Sequence, residues 1–210
     1  MAVLPFVTIS ATAANLPPGF VSLSDLAPTI RQEIRYAGSN NFTGKPVPGY
    51  SIAQCWLRQE AASALALVQT DAIKEGLTLV VYDCYRPERA TRAFIEWAMD
   101  DNDQTMKDHF YPAIDKRTLF SRGYIGRQSS HSTGLSVDLA IDGLDFGTPF
   151  DFFDPRSSTG SKLVTAAAAT NRKKLQELML HRGFLNYGRE WWHFTYTGAR
   201  NSKPWDLEVK

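Results

Sequence analysis

The stretch SSHSTGLSVDLAI, residues 129–141, decides the fold because it joins a polar turn to an alternating segment. Apolar residues recur at every second position, which is typical of a strand with one face on the core; they are Leu135, Val137, Leu139 and Ile141. The opposite face carries Asp138, and a carboxylate there must be solvated, paired or bound to a metal, since burying it alone is too costly. The glycine corner at Thr133-Gly134 can fold His131 back towards Asp138. The stretch therefore predicts half of a metal site.

The other half is predicted in GREWWHF, residues 188–194, which contains His193 and, three positions earlier, Glu190. A zinc hydrolase needs three protein ligands with an open fourth position for water, and a nearby carboxylate to take the proton of that water. His131, Asp138 and His193 would supply the ligands and Glu190 the base. Because residues three apart in a strand point opposite ways, we expect Glu190 on the bend after Gly188.

Two cysteines and the two remaining histidines lie outside this constellation. Cys55 and Cys84 match no zinc-ligand spacing; they would form one disulfide in an exported protein, or otherwise be two buried reduced residues. His109 lies in a polar loop and His181 at the end of a predicted helix, where a cation is favoured. We expect neither histidine to be a ligand.

The composition is that of one globular domain, with 43% hydrophobic residues in 210. Its 23 basic and 22 acidic residues give a net charge of +1, without the basic excess typical of nucleic-acid binders. No apolar run reaches the roughly 18 residues that span a membrane. We therefore expect a small substrate, no nucleic acid and no membrane span, and the sequence defines no oligomeric state.

The N-terminus, residues 1–20, is interpreted as an extension that precedes a domain covering residues 21–210. A short apolar segment ends in Ala11-Thr12-Ala13, which is similar to the small-residue end of an export signal. The basic beginning of such a signal is missing and Pro5 interrupts the apolar run, so a signal remnant and a disordered tail both stay open. An exported or periplasmic location is favoured, with a cytoplasmic one as the alternative.

Helices and strands alternate without regular βαβ order, which predicts an α+β fold. We expect a single domain in which a small antiparallel sheet, flanked by helices, carries the metal site. Helical spacing covers Ile52–Lys74, a segment from Pro87 through Trp97, and about 161–181; strands are predicted at 77–83, 134–141 and 191–198. Residues 100–130 are polar and irregular, so we expect a functional loop or a covering segment there.

Five ordered segments resemble one known family, the zinc D-alanyl-D-alanine dipeptidases, which are VanX-like enzymes within the D,D-peptidases of family M15. The segments are IRYAGSNNFTGKPVPGY (34–50), YDCYRP (82–87), YIGRQSSHSTGLSVDL (124–139), PFDFFDPRSS (149–158) and NRKKLQELMLHRGFLNYGREWWHF (171–194). Their order and approximate spacing match the family over most of residues 21–200.

The resemblance implies a zinc peptidase that hydrolyses the dipeptide D-Ala-D-Ala to two D-alanines. One zinc ion per chain would be bound by His131, Asp138 and His193. Glu190 would be the general base that activates the zinc-bound water and then the acid that protonates the leaving amine. Arg86 would stabilise the oxyanion.

The resemblance also implies a pocket for the two ends of a small D,D-dipeptide. Asp151 would hold the ammonium group, and Tyr36, Tyr50, Ser129 and Ser130 would line the pocket.

Three points qualify this family likeness. The wider family has alanine two residues before the aspartate ligand where this chain has Ser136, whose hydroxyl could donate a hydrogen bond near the metal. A D,D-carboxypeptidase acting on peptidoglycan stem peptides is one alternative, which Asp151 and the bulk of residues 145–158 would discriminate. A non-catalytic, zinc-stabilised peptidoglycan-binding module is another, and the presence of Glu190 argues against it because a structural site needs no base.

Overall fold

The strands and helices of the computed structural model occupy the described residues, 16–199 and 203–210. The strands are β1 (Phe20–Ser22), β2 (Arg31–Gln32), β3 (Trp56–Arg58), β4 (Leu79–Asp83), β5 (Ser136–Ile141), β6 (Phe184–Asn186) and β7 (His193–Tyr196). The helices are α1 (Leu23–Leu26), α2 (Gln59–Lys74), α3 (Glu88–Met99), α4 (Lys107–Phe110) and α5 (Ala166–His181). Short 3₁₀ turns cover Arg35–Ala37, Lys116–Thr118, Ser130–Thr133 and Pro155–Ser157.

The main sheet has five strands in the order β2-β4-β5-β7-β6. Its neighbours are antiparallel except β2 and β4, which run parallel. β1 and β3 form a separate antiparallel pair, and α2 contacts α5, which in turn contacts β6. The predicted α+β class is confirmed, with one parallel pair at the edge of an otherwise antiparallel sheet.

The register of this sheet places three polar residues in one row. Asp83 at the end of β4 is paired with Asp138 of β5, and Asp138 is paired with His193 of β7. A register shift between Val81 and Asp83 precedes this row. Directly opposed residues of adjacent strands point to the same face, so strand pairing alone brings the aspartate and the histidine of the two sequence segments together.

The strand β5 is buried on both of its faces. Its polar face is closed to solvent, because Ser136 and Asp138 are 0% and 2% exposed. The polar face is covered by neighbouring loops instead of water, and Asp138 has charged and imidazole partners there. Of the three states that the sequence left open for this carboxylate, solvation is excluded by its burial.

The prediction of a helix from Ile52 was wrong at its start. Trp56–Arg58 is extended because it pairs with Phe20–Ser22, and helix α2 begins only at Gln59. The predicted end is confirmed: Gly76 has φ +72°, and the amides of Gly76 and Leu77 donate back to the carbonyls of Ile73 and Ala72. This pattern is a Schellman ending, which favours glycine in the left-handed region.

The other predicted elements differ from the observed ones mainly at their boundaries. Helix α5 begins at Ala166, later than the predicted 161, because the Thr165 side chain accepts a hydrogen bond from the amide of Ala168 and caps the helix there. Pro87 occupies the position before α3, which keeps its missing N–H outside the helical hydrogen-bond pattern. β4 and β7 lie within their predicted ranges but are shorter.

The irregular segment 100–130 contains α4 and one 3₁₀ turn, and its last residues line the main cavity described below. It is therefore a covering segment. At the N-terminus, Phe20, which we assigned to the extension, already opens β1. The export-like features of residues 1–15 lie outside the described residues. Among the described helices, none combines the length and hydropathy that crossing a membrane requires.

Cys55 and Cys84 form a disulfide between the segment before β3 and the end of β4. Both residues are buried, at 0% and 2% exposure. Of the two alternatives left open by the sequence, the structure has the disulfide.

Candidate metal centre

Three side chains converge at the row formed by β5 and β7. Nδ1 of His193 lies 2.9 Å from Oδ1 of Asp138 and 3.0 Å from Nε2 of His131. Nε2 of His131 lies 3.2 Å from the same carboxylate oxygen. Within the described residues, these three form the one group of histidine, cysteine and acidic side chains close enough to hold a metal ion.

The geometry and chemistry of this triangle fit zinc. Two imidazole nitrogens and one carboxylate oxygen are zinc donors, and tetrahedral bonds of about 2.0–2.1 Å set donors roughly 3.3 Å apart. The observed separations of 2.9, 3.0 and 3.2 Å are slightly shorter than this spacing. A triangle of three donors leaves its fourth position open, as catalytic zinc sites do. His109 and His181 are both exposed and stand apart from it, as we expected.

The outward-facing nitrogen of each histidine has a partner of its own. Nδ1 of His131 lies 2.7 Å from the carbonyl oxygen of Cys84, so it donates there and leaves Nε2 as the acceptor for a metal. Nε2 of His193 lies 3.3 Å from Oγ of Ser130. That hydroxyl in turn accepts from Ser136 over 2.8 Å. These contacts fix ring orientations, and Ser136 takes the supporting place that its hydroxyl suggested.

Arg86 is held beside the metal ligands by Asp83. Nε of Arg86 donates to Oδ2 of Asp83 over 2.9 Å, and a guanidinium NH2 lies 3.6 Å from Oδ2 of Asp138. Its guanidinium carbon lies 5.1 Å and 5.0 Å from the ring centres of Tyr36 and Phe94. Burial lowers the pKa of Arg86, but the negative charges of Asp83 and Asp138 raise it by more. The pKa therefore lies well above its ordinary value and the guanidinium stays charged.

Asp83 is the residue that sequence reasoning missed. Besides Arg86, its carboxylate accepts a 2.6 Å hydrogen bond from Tyr50 and lies 3.4 Å from Nδ1 of His131. It is 0% exposed. The segment YDCYRP shows an acid that closes a buried strand three residues before the arginine, a placement too common to single it out.

Asp138 remains ionised beneath the two histidines. Burial raises its pKa, but the charges and hydrogen bonds of His131 and His193 lower it more, so the pKa lies well below its ordinary value. A negative charge kept at this buried position favours a bound cation.

Glu190 lies in the turn between β6 and β7, after Gly188, as predicted. Its amide donates to the carbonyl of Tyr187 over 2.9 Å, and its carbonyl accepts from Asn186. Burial raises the pKa of its carboxyl to about 7, with His193 opposing that rise. A carboxyl of this pKa exchanges protons near neutral pH, which suits an acid–base group.

These groups face one cavity of about 230 Å³, below the roughly 300–1,000 Å³ of pockets for drug-sized ligands. Its polar lining consists of the three candidate ligands with Glu190, Arg86, Asp151, Ser129, Ser130, Gln128, Thr91 and three tyrosines, Tyr36, Tyr124 and Tyr187. Apolar walls come from Phe42, Phe94, Ile125, Phe153 and Trp192. Trp191 is not part of this lining and stacks on Phe146 at 4.3 Å. The cavity is therefore small and charged, with Trp192 in its wall and Trp191 outside it.

Asp151 presents a second buried carboxylate to the cavity. Its Oδ2 accepts a 2.9 Å hydrogen bond from the hydroxyl of Tyr36. Burial and the charge of Asp138 raise its pKa well above the ordinary value, although the hydrogen bond from Tyr36 opposes this. Among the described residues it is the one non-glycine with positive φ, at +61°. Backbone strain of this kind is concentrated at functional sites.

The remaining predicted pocket residues divide into two groups. Ser129, Ser130 and Tyr36 line the cavity. Ser129 also caps the 3₁₀ turn by accepting from the amide of His131. Tyr50 is not among the lining residues and contacts Asp83 behind Arg86.

This fold and site define a single-domain α+β protein with a candidate histidine–aspartate–histidine metal site and an adjacent carboxylate, the arrangement that metal-dependent hydrolases use. A family model described as Peptidase_M15, D-ala-D-ala dipeptidase, matches residues 17–207. The chain belongs to the peptidase M15 family of D-Ala-D-Ala dipeptidases, which are zinc-dependent metallopeptidases.

Named relatives agree with the family model. A D-alanyl-D-alanine dipeptidase from Enterococcus faecalis (strain ATCC 700802 / V583) is 38% identical over 182 residues, which cover 84% of this chain and 90% of the relative. One from Escherichia coli (strain K12) is 33% identical over 179 residues, covering 83% and 82%. A solved vancomycin resistance D,D-dipeptidase, VanXYg in complex with a D-Ala-D-Ala phosphinate analog, is 20% identical with a TM-score of 0.44, covering 86% of this chain and 67% of that one.

Proposed function

We propose that this protein hydrolyses free D-Ala-D-Ala to two D-alanines, using one zinc ion held by His131, Asp138 and His193. The observation that carries the proposal is the placement of Glu190 and Arg86 on the same small cavity as the three donor atoms. The names of the relatives and of the family support the substrate.

Zinc, when bound, lowers the pKa of water to about 7 and polarises a carbonyl group. Glu190 then acts as the general base that takes a proton from the attacking water and returns it to the leaving amine. Its partly buried position keeps its proton affinity high enough for both transfers. Acid–base help of this kind contributes roughly 100- to 10,000-fold to the rate.

Arg86 supplies positive charge where the scissile carbonyl oxygen becomes negative. The Asp83 carboxylate fixes one edge of the guanidinium, and the rings of Tyr36 and Phe94 hold its plane. A charged donor that is already oriented needs no rearrangement during the reaction, which is the main source of electrostatic stabilisation of a transition state.

The two ends of the free dipeptide would be bound by different groups, a carboxylate for the ammonium end and hydroxyl donors for the carboxylate end. Asp151, with its raised pKa and its hydrogen bond from Tyr36, gains a favourable partner when an ammonium group enters. The hydroxyls of Ser129 and Ser130 are donors for the carboxylate end. A pocket of about 230 Å³ with a buried anion suits a short zwitterion better than a longer stem peptide.

The test is release of free D-alanine from D-Ala-D-Ala by the purified zinc-loaded protein, with N-acetyl-D-Ala-D-Ala and a chelated sample beside it. Chelator-sensitive cleavage of the free dipeptide alone is the expected result. Comparable cleavage of the acetylated compound would assign a D,D-carboxypeptidase. Cleavage of neither would overturn the proposal and leave another peptide substrate or a zinc-stabilised binding module.

We also propose an exported or periplasmic location. The disulfide between Cys55 and Cys84 supports it, since disulfides persist in oxidising compartments. Fractionation of the native host followed by immunodetection tests the location, and recovery with cytoplasmic markers would contradict it.

A further inference from the structure

The C-terminal segment, residues 203–210, lies across two turns that carry site residues. The amide of Trp205 donates to the carbonyl of Ser132 over 2.9 Å. The carbonyl of Trp205 accepts from the amide of Glu88 over 3.1 Å. Ser132 follows the candidate ligand His131, and Glu88 opens helix α3. The backbone of a single residue, Trp205, therefore connects the metal-ligand turn to the start of α3.

The next residue, Asp206, caps α3 from a distant part of the chain. Its Oδ1 accepts from the backbone amide of Arg89 over 2.8 Å and from Nε of the same residue over 2.9 Å. Its Oδ2 accepts from Arg92 over 2.7 Å. Pro87, the residue before α3, supplies no side-chain cap. The first amides of a helix need partners from outside the helix, and here the C-terminal segment provides two of them.

Helix α3 begins two residues after Arg86, so its first turn governs where that guanidinium lies. Phe94 of the same helix packs against the guanidinium at 5.0 Å. Two direct hydrogen bonds join the metal-ligand turn to the segment before α3: the amide of Arg86 donates to the carbonyl of His131 over 3.3 Å, and Nδ1 of His131 donates to the carbonyl of Cys84 over 2.7 Å. Trp205 adds the contact that reaches Glu88, the first residue of α3.

The C-terminal segment is itself anchored at two positions beyond this link, Leu207 and Val209. The amide of Leu207 donates to the hydroxyl of Tyr85 over 2.8 Å, and that hydroxyl donates to the carbonyl of Leu207 over 3.2 Å. Val209 is fully buried, and its amide donates to the carbonyl of Gly49 over 2.9 Å. A segment held in this way can impose a position on α3.

We propose that Asp206, together with the backbone N–H and C=O of Trp205, is a positioning element that holds α3 and Arg86 against the metal-ligand turn. The inference rests on the proposed function, in which Arg86 faces the charge that develops on the substrate. Misplacement of a reacting group by about 1 Å can cost about 100-fold in rate. Because this charge exists only in the transition state, the loss falls on kcat more than on KM.

The experiment compares zinc-loaded wild type with Asp206→Ala, Asp206→Asn and Arg92→Gln, measuring D-alanine release and zinc content. Arg92→Gln is the matched control, because it removes the ion pair between Arg92 and Asp206 and keeps the hydrogen bonds of Asp206 with Arg89. We expect Asp206→Ala to lower kcat about tenfold with KM changed less than about threefold. The zinc content stays at the wild-type value. Asp206→Asn keeps an acceptor for the Arg89 amide and recovers most of the loss, and Arg92→Gln stays within about twofold of wild type.

Equal kcat in folded Asp206→Ala and wild type would overturn the inference, as would equal losses in Asp206→Ala and Arg92→Gln. If Asp206→Ala does not fold, the comparison of Asp206→Asn with Arg92→Gln decides. We then expect kcat lower by about two- to fivefold in Asp206→Asn alone, the effect of a weakened helix cap, and equal values would contradict the proposal.

Amide hydrogen exchange gives a reading that does not depend on turnover. Asp206→Ala should speed exchange in the first turn of α3, at Glu88 and Arg89; Asp206→Asn, used if the alanine variant does not fold, should speed it less. About fivefold is expected for the loss of a cap worth about 1 kcal/mol. The amides of β5 should not change. An inactive wild type would reject the proposed function, while unchanged exchange at α3 would reject the positioning role.

Discussion

The hydroxyl of Tyr36 donates a hydrogen bond to Oδ2 of Asp151 over 2.9 Å, and both residues are buried. Burial raises the pKa of Tyr36, so the phenol keeps its proton and remains a donor. Asp151 meanwhile has a left-handed backbone, with φ +61°. The tyrosine thus fixes a carboxylate whose charge is otherwise opposed by burial and by Asp138. In the proposed function, the positive charge of the substrate ammonium group stabilises the ionised form of Asp151.

Replacing Asp151 by asparagine tests this ammonium site. Asparagine accepts the left-handed backbone almost as readily as aspartate, so the change removes charge without new strain. A hydrogen bond to a charged group is worth about 1.5–3 kcal/mol, so KM for D-Ala-D-Ala should rise roughly 10- to 100-fold. Steady-state kinetics measure this, with Asp145→Asn in the exposed neighbouring loop as the control. An unchanged KM would place the ammonium elsewhere.

Replacing Glu190 by alanine should separate turnover from metal binding. The candidate ligands stay in place, so the variant should bind as much zinc as wild type. Loss of the base should lower kcat by about 100- to 10,000-fold. Zinc content and D-alanine release are measured on the same preparation, with Glu177→Ala on the exposed face of α5 as the control. Unchanged hydrolysis would show that another group takes the proton.

Hydrolysis should fail on the acid side of neutrality. Burial raises the pKa of Glu190 to about 7, and the base must be deprotonated to accept a proton. Activity is therefore present above this pKa and is lost as the pH falls through it. A nearby dication favours the carboxylate, which places the acid limb of kcat/KM at or below about pH 7. A pH–rate profile measures the limb; one that stayed flat down to pH 4 would exclude Glu190 as the base.

Removing the metal should lower the thermal stability. A ligand that binds only the folded state stabilises it by about 2.7 kcal/mol when its free concentration is 100 times Kd. Thermal unfolding with zinc and with a chelator should therefore give a higher Tm in zinc. His131→Ala should abolish this difference, whereas His109→Ala at an exposed position of helix α4 should preserve it. A zinc-independent Tm in wild type would contradict a site at His131.

Reducing the disulfide should affect both stability and the site. Cys55 and Cys84 are 29 residues apart, and a cross-link over such a loop is worth about 3–4 kcal/mol. The carbonyl of Cys84 also accepts the hydrogen bond that orients His131, so zinc affinity should fall as well. Urea unfolding and zinc titration of the Cys55→Ser, Cys84→Ser double variant measure the two effects. An unfolding midpoint equal to that of the oxidised wild type would show that the bond contributes nothing.

Sequence patterns within single segments predicted the longer helices and strands. Alternation located β5, and the glycine at position 76 located the end of α2. The strands β1, β2 and β6 have three residues or fewer, so no periodicity marks them. β3 was missed because Trp56 and Leu57 also fit a helical spacing, and only pairing with Phe20–Ser22 makes them extended.

The candidate site was predictable where residue type limits the chemistry. Histidines are few in this chain; His131 precedes Asp138 by seven positions and His193 follows Glu190 by three, so the three candidate donors could be chosen from the sequence. The role of Asp83 could not, because acids commonly close strands and its partners lie on three different segments. The cap from Asp206 was equally hidden, since it joins positions 117 residues apart.

The contacts of Asp83 have a consequence for how neighbouring positions vary in evolution. One carboxylate serves Tyr50, Arg86 and His131 at once, so the free-energy effects of substituting these residues will not add. Once Asp83 is replaced, Tyr50 and Arg86 lose the carboxylate that they both contact, and selection to keep them weakens. We therefore expect positions 50, 83 and 86 to change together among relatives, as a single unit of covariation.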